Sequence, residues 1–215
     1  MMHDFQENFQ QRSFWSSEKG EEYMNRNLTL ENVNQRYVEQ LGISVEGILS
    51  EFFSDIDRET EILEFGCNVG LNLEGLKNIG FKKLTGVEIN ENVCKLAKER
   101  NPSFNIINSS IEYFKTNNKY DLVFTSGVLI HINPKSINSI LTKILSFSKK
   151  YIWGLEYFSE EISEVSYRGS QDICWKQNFP EKFKEINPKL QYVKEQKYNY
   201  IGTDNFDIAY LFKII

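Results

Sequence analysis

Along the first quarter of the chain, apolar residues recur at helical spacing. Between residues 16 and 53 the segment is polar apart from Tyr23, Leu28, Leu30, Val33, Tyr37, Leu41, Val45, Ile48, Leu49 and Phe52. Such positions lie on one face of a helix, and they predict an N-terminal helical cap over residues 1–55. Beyond residue 56 short apolar runs alternate with helical ones. Residues 61–65 read as a strand ending at Gly66, and residues 70–79 as a helix stopped by Gly80. The unit recurs, with strands over 83–88, 104–107, 121–125 and 151–155 and helices over 91–100 and 135–146. A polar, aromatic segment then runs to about residue 180. A short helix over 181–186 follows, and two strand-like runs, 190–198 and 206–214, can pair as a terminal hairpin.

Strands alternating with helices imply an α/β fold, a parallel sheet covered on both faces. The cap belongs to the same domain as the core over residues 56–215, and the segment at about 156–180 is the natural place for a substrate loop. At 215 residues, 40% hydrophobic and 26% charged, the chain can bury one substantial core. A net charge of −5 argues against nucleic acid as a partner, because phosphate backbones are bound by clustered Lys and Arg. Cys67, Cys94 and Cys174 form no ligand cluster, so no metal is expected and a reducing compartment fits them. Without a basic start followed by an apolar run, or any apolar stretch of roughly 20 residues, the reading is cytoplasmic and not membrane-bound. The aromatic share of 14% exceeds what core filling needs, and aromatics also line pockets.

The sharpest local signal is Ile62-Leu63-Glu64-Phe65-Gly66-Cys67-Asn68-Val69-Gly70, two glycines between a strand and a helix start. Backbone without a Cβ can approach a ligand closely there. About twenty residues on, Glu88 ends the next strand, where a carboxylate can accept both ribose hydroxyls of an adenosine-containing cofactor. A dinucleotide would call for a third glycine and for glycine in place of Asn68, which favours a cofactor without a pyrophosphate.

ILEFGCNVGLNL followed by GVEIN resembles the glycine-rich and ribose-binding motifs of class I S-adenosylmethionine-dependent methyltransferases. More narrowly, the chain resembles the methyltransferases associated with pseudaminic acid biosynthesis and similar surface-sugar gene clusters. That likeness runs through FW and GEEYMNRN (Phe14 to Asn27), DLVFTSGVLIHINP, LEYF (Leu155 to Phe158) and YRG (Tyr167 to Gly169). It implies a Rossmann-like fold with a mostly parallel seven-stranded sheet ending in an antiparallel hairpin. The implied cofactor is S-adenosyl-L-methionine, leaving as S-adenosyl-L-homocysteine. The acceptor implied is a small molecule, a sugar or sugar nucleotide of a surface-glycan pathway, with acidic and nucleotide-linked sugars in that class. Glu64, Gly66, Asn68 and Gly70 would surround the methionine part, with Ser126 beside them. Glu88 and Ile89 would hold the ribose, and Ser110 and Ile111 would flank the adenine. This chain lacks an acid among Asn108, Ser109, Ser110 and Ile111, so backbone atoms or Asn108 would serve the adenine amino group.

Methyl transfer from a sulfonium is an in-line displacement in which the protein aligns the acceptor and excludes water. For a hydroxyl or ammonium acceptor a base must take a proton, and His131, just beyond the fourth strand, is the histidine nearest the ligand-binding edge. Its alternative role is packing beside the helix near Pro134. His3 is a poor rival. Glu156 and Tyr157, after the fifth strand, are the other candidate catalytic groups. His131, Tyr157, Tyr167 and Arg168 are candidate acceptor-binding residues, Arg168 for a carboxylate or phosphate. Tyr23 and Arg26, at i and i+3 on one helix face, would close over the cofactor and meet its carboxylate. Two other classes stay open on residues alone: a nicotinamide-dependent oxidoreductase using Glu88 on the ribose, and a non-catalytic cofactor-binding protein.

Overall fold

The computed structural model describes residues 6–215, so His3 lies outside the described residues. Its strands are β1 (Glu61–Phe65), β2 (Lys83–Glu88), β3 (Asn105–Asn108), β4 (Tyr120–Ser126), β5 (Ser148–Tyr157), β6 (Ser163–Glu164), β7 (Trp175–Lys176), β8 (Gln191–Asn199) and β9 (Phe206–Lys213). Seven of them form one sheet in the order β3-β2-β1-β4-β5-β9-β8. The pairs from β3 through β5 are parallel, whereas β9 is antiparallel to both β5 and β8. The terminal hairpin thus closes the sheet as its patterning predicts. The strand order reverses between β1 and β4, and such a switch point leaves a crevice at the carboxyl ends of the strands.

Eight α-helices accompany the strands among the described residues: α1 (Phe9–Trp15), α2 (Glu18–Arg26), α3 (Leu30–Leu41), α4 (Val45–Phe53), α5 (Leu71–Asn78), α6 (Glu91–Arg100), α7 (Ile137–Phe147) and α8 (Phe179–Ile186). Short polar side chains start several of them by accepting the first free amides, as Ser17, Thr29, Ser44 and Asn90 do. One core lies between α4, α5, α6 and one sheet face, around Phe53, Phe81, Phe124 and Trp153. The other lies under α7 and α8, around Phe65, Ile140, Phe183 and Tyr210. A smaller cluster of Leu30, Val33, Val45, Val69, Leu71 and Val93 seats α3 against the glycine loop and α6.

The structure refines several expectations. Helical structure begins ahead of the patterned segment at residues 16–53, with a 3-10 turn at Gln6–Asn8 and then α1. Helix α4, grouped with the cap by its position, buries Ile48, Leu49, Phe52 and Phe53 in the first core. Strand β5 is longer than its apolar run because its ends carry Lys149, Lys150 and Glu156. The segment after β5 contains the two-stranded pair β6 and β7, which is too short and polar to leave a period-2 signal. No helix among the described residues is long and apolar enough to cross a membrane.

Candidate functional site

A cavity opens at the switch point, floored by the loop after β1 and the ends of β2 and β4. The glycine loop is tied to β2, since the amides of Gly66 and Cys67 donate to the Val87 carbonyl at 2.8 and 3.0 Å. Gly66 has φ 70°, and a Cβ there would lie 2.5 Å from Val128 Cγ2, so both backbone and space require glycine. Asn68 also takes a left-handed conformation (φ 51°), which asparagine tolerates better than most residues. Its buried Oδ1 has no hydrogen-bond partner. Both Gly66 and Asn68 line the cavity.

Glu88 sits beneath this loop. Its Oε2 accepts from the Asn68 amide at 2.9 Å and its Oε1 from the Asn90 amide at 2.8 Å. Burial raises its pKa, and the backbone donors oppose that rise. The Ile89 amide also acts on the carboxylate, and with two lone-pair sites on each oxygen room remains for a further donor. Ile89, Ser110 and Ile111 line the cavity beyond it. Asn108 does not serve there. Its side-chain amide donates to the Glu88 and Ile89 carbonyls at 2.9 and 3.0 Å and closes the end of β2.

Two members of the expected methionine set lie behind the wall rather than on it. Glu64 is buried, with Oε1 accepting from Asn72 Nδ2 at 2.7 Å and Oε2 unpartnered, and burial pushes its pKa up to about 8. Asn72 itself faces the cavity. Gly70 is the left-handed N-cap of α5 (φ 85°) and shapes the turn. Ser126 lines the cavity, beside Tyr37.

The cap supplies the opposite wall, including Gln11, Trp15, Tyr23, Asn27 and Arg36. Tyr23 lines the cavity. Arg26 does not, since it is exposed and its guanidinium lies over the Tyr23 ring at 5.8 Å. Arg36 reaches the cavity instead, one nitrogen held by the Asn27 side-chain oxygen. The first part of the cap, up to α2, is latched mainly by polar contacts. Asn8 Nδ2 and Arg12 Nη1 donate to Glu112 Oε1 at 2.9 and 3.3 Å, the Asn133 amide donates to Asn8 Oδ1 at 2.7 Å, and Gln11 Nε2 donates to the Asp172 carbonyl at 2.7 Å. Neither α1 nor α2 has a buried apolar residue.

His131 lies in the 3-10 turn after β4 and lines the cavity. Its Nδ1 is 2.8 Å from the Ile173 carbonyl. A carbonyl only accepts, so Nδ1 carries the proton and Nε2 the lone pair. Burial lowers its pKa to about 4, so the ring is neutral near pH 7. Trp15 and Tyr167 pack against it at ring-centroid distances of 4.5 and 4.8 Å. Glu156 and Tyr157 are not beside it on the cavity wall. Glu156 is buried under the turn, with Oε1 and Oε2 at 3.3 and 3.5 Å from the Val128 and Ile130 amides, and burial pushes its pKa up to about 7. Tyr157, on the other face of β5 by alternation, packs near Tyr200 and Lys176. Tyr167 and Arg168 stand just outside the lining residues, with Tyr167 against His131.

Residues 62–150 match the family described as a methyltransferase domain. The chain is 30% identical over 124 residues to a ubiquinone biosynthesis O-methyltransferase from Rickettsia canadensis, covering 50% of this chain and 52% of that protein. It therefore spans about half the length of that curated relative. Among solved structures it superposes on magnesium protoporphyrin IX methyltransferase of Synechocystis PCC 6803, determined with bound S-adenosylmethionine, with a TM-score of 0.70 and 12% identity over 97% of each chain. The fold is the Rossmann-like methyltransferase fold. The N-terminal domain of EvdMO1, solved in the presence of S-adenosylhomocysteine and D-fucose, shares this methyltransferase fold with a TM-score of 0.62 and 15% identity, over 80% of this chain and 83% of that one.

Sequence reasoning gave no site role to Arg36, Asn72 or Glu112 and took Tyr37 only as part of an apolar helix face, yet all four line the cavity. Arg36 and Tyr37 follow the apolar Val33 within α3, so the helical period could have placed them on or near its inward face. Glu112 gives no local signal, because its partners Asn8 and Arg12 are about a hundred residues away.

Proposed function

We propose that this chain transfers a methyl group from S-adenosyl-L-methionine to a small-molecule acceptor, a sugar or sugar nucleotide of a surface-glycan pathway. The observation that carries the cofactor reading is Glu88, a buried carboxylate held at the switch point by backbone amides with acceptor capacity left over. Ribose hydroxyls match that capacity. The wall formed by Ile89, Ser110 and Ile111 suits adenine, apolar on its faces and polar at one edge. Asn68 Oδ1 and Asn72 offer polar groups for the amino-acid end, and Arg36 offers a planar fork for its carboxylate, the role that Arg26 is too far out to fill.

When bound, the cofactor supplies an electrophilic methyl on a sulfonium. The chain's own work is positioning and proton handling. Trp15 and Tyr23 roof the cavity and exclude water from the reacting groups. His131, neutral and fixed through Nδ1, presents Nε2 as the acceptor of a proton from an acceptor hydroxyl or ammonium. Glu156 acts through His131 by holding the amides of the turn that carries it, and so is a positioning residue. A sugar acceptor is supported by the surface-sugar resemblance and by the D-fucose present with the EvdMO1 neighbour. Three buried free thiols fit work in a reducing cytoplasm.

Calorimetric titration with S-adenosylmethionine, S-adenosylhomocysteine and NAD tests this reading. Micromolar binding of the first two without NAD supports it, whereas binding of NAD alone overturns it.

A further inference from the structure

From Arg26 to Arg168 a continuous arc of side chains rims the cavity above His131. The Arg26 guanidinium lies 5.8 Å from the Tyr23 ring, Tyr23 is 5.4 Å from Trp15, Trp15 is 5.9 Å from Tyr167, and the Arg168 guanidinium lies 5.6 Å from Tyr167. Trp15 and Tyr167 both also touch the His131 ring. The arc is thus cation, three aromatics, cation, with Arg26, Tyr23 and Trp15 from the cap and Tyr167 and Arg168 from the segment after β5.

Among the described residues no carboxylate pairs with its charges. In a chain of net charge −5, lysines on several surfaces pair with Glu or Asp, and Arg12 pairs with Glu112. Among the described residues neither Arg26 nor Arg168 has a carboxylate partner. Arg168 moreover occupies a left-handed backbone position (φ 53°), next to Gly169 (φ 78°). Left-handed backbone favours Gly or Asn over arginine, and residues kept in sparsely populated conformations cluster at ligand sites. Nothing in the packing accounts for an arginine there, since the residue is exposed.

We propose that the arc reads an anionic group on the acceptor, a carboxylate or a phosphate, while Trp15 and Tyr167 take the apolar face of the acceptor ring. Guanidinium forks bind both anions bidentately, and aromatic faces accept the C–H side of a sugar ring as they accept other apolar surface. Arg26 and Arg168 both stand near Tyr23, while Trp15 and Tyr167 lie against the His131 ring, so an anion gripped by the guanidiniums leaves the aromatic stretch beside His131 for the group that loses its proton.

This inference rests on the acceptor being a sugar-like small molecule, and the test keeps the two claims apart. Protein saturated with S-adenosylhomocysteine is titrated with glucuronate, glucose 6-phosphate and glucose, with binding followed by ligand-observed NMR. At least one charged sugar is expected to bind about tenfold or more tightly than glucose, and the arm that responds identifies carboxylate or phosphate as the anion. Arg168→Gly, which relieves the backbone strain and keeps the fold, and Arg26→Gln are each expected to abolish that preference with S-adenosylhomocysteine affinity unchanged. Equal binding of charged and neutral sugars, no binding of any of the three, or a preference that survives both substitutions overturns the proposal. Failure of the wild-type protein to bind S-adenosylhomocysteine would instead sink the cofactor reading.

Discussion

The two halves of the cavity are held in place by different physics. The floor, from Gly66 to Asn68 and at Glu88, is bolted by backbone hydrogen bonds to strands whose neighbours are buried hydrophobic residues. The roof, α1 and α2 with the segment around Tyr167, buries no apolar side chain in either helix and is held by side-chain amides, one ion pair and aromatic contacts. Apolar burial stabilises at about 25 cal/mol per Å², whereas each polar latch is worth about 0.5–1.5 kcal/mol net. The floor therefore shares the stability of the core, and the roof can open at a fraction of that cost. That division suits a site whose cofactor half is rigid and whose acceptor half must admit and release ligands.

Substitutions in each half should separate these roles, beginning with the largest effect. His131→Ala should lower turnover on the acceptor that a screen identifies by about 10²–10⁴-fold while leaving S-adenosylhomocysteine affinity nearly intact. Equal turnover would return His131 to a packing role. On the floor, Glu88→Ala should weaken S-adenosylhomocysteine binding by about 1.5–3 kcal/mol, because it removes charge-assisted acceptors and frees two backbone amides. Calorimetry showing wild-type affinity would remove Glu88 from the cofactor site. Gly66→Ala should cost about 1–3 kcal/mol of folding stability, since its Cβ meets Val128 and its backbone is left-handed. The melting temperature reports that loss directly.

The roof should respond differently. Asn8→Ala unlatches the cap from both Glu112 and the Asn133 amide, at a cost of about 1–2 kcal/mol. Hydrogen exchange should then speed up in residues 9–26 with the sheet unaffected, and uniform acceleration would contradict a separately opening roof. The smallest effect is in pH. Glu156 is pushed from 4.5 up to about 7, so the folded state holds that proton more tightly than the unfolded chain. Its contribution is full below about pH 4.5 and is lost as pH rises through about 7. His131 works in the opposite sense, contributing fully above about 6.5 and losing that stability as pH falls through about 4. Glu156→Gln should therefore reduce the fall in melting temperature between about pH 4.5 and 7, leaving the share of that fall that comes from Glu64, pushed up to about 8, and Asp207, pushed up to about 7.

The floor was also the legible half. Residues 83–88 and 91–100 match β2 and α6 end to end, because strand and helix there differ sharply in period and Asn90 marks the boundary. Gly66, Asn68 and Glu88 could be placed from spacing alone, since the strand–loop–helix unit fixes them locally. The roof could not. Arg26 and Arg36 sit on successive cap helices, and only the packing of α3 on Val69 and Leu71 decides which one faces inward. Glu156 and Tyr157, read as lying after the fifth strand, fall inside β5 on opposite faces, so the turn above covers Glu156, and Tyr157 faces Lys176 and Tyr200. No local pattern encodes Asn8 meeting Glu112 from more than a hundred residues away.

The short turn after β4 belongs to both halves. Val128 packs against Gly66 on the floor, and His131 rests on the Ile173 carbonyl in the segment that carries Tyr167. Displacing that segment loads the same few residues that confine the glycine loop, so the two ligands share a mechanical joint. Linkage then fixes a symmetry: whatever factor an acceptor applies to S-adenosylhomocysteine affinity, S-adenosylhomocysteine applies to acceptor affinity. Order of addition can change how fast the ternary complex forms, and never how tightly it is held.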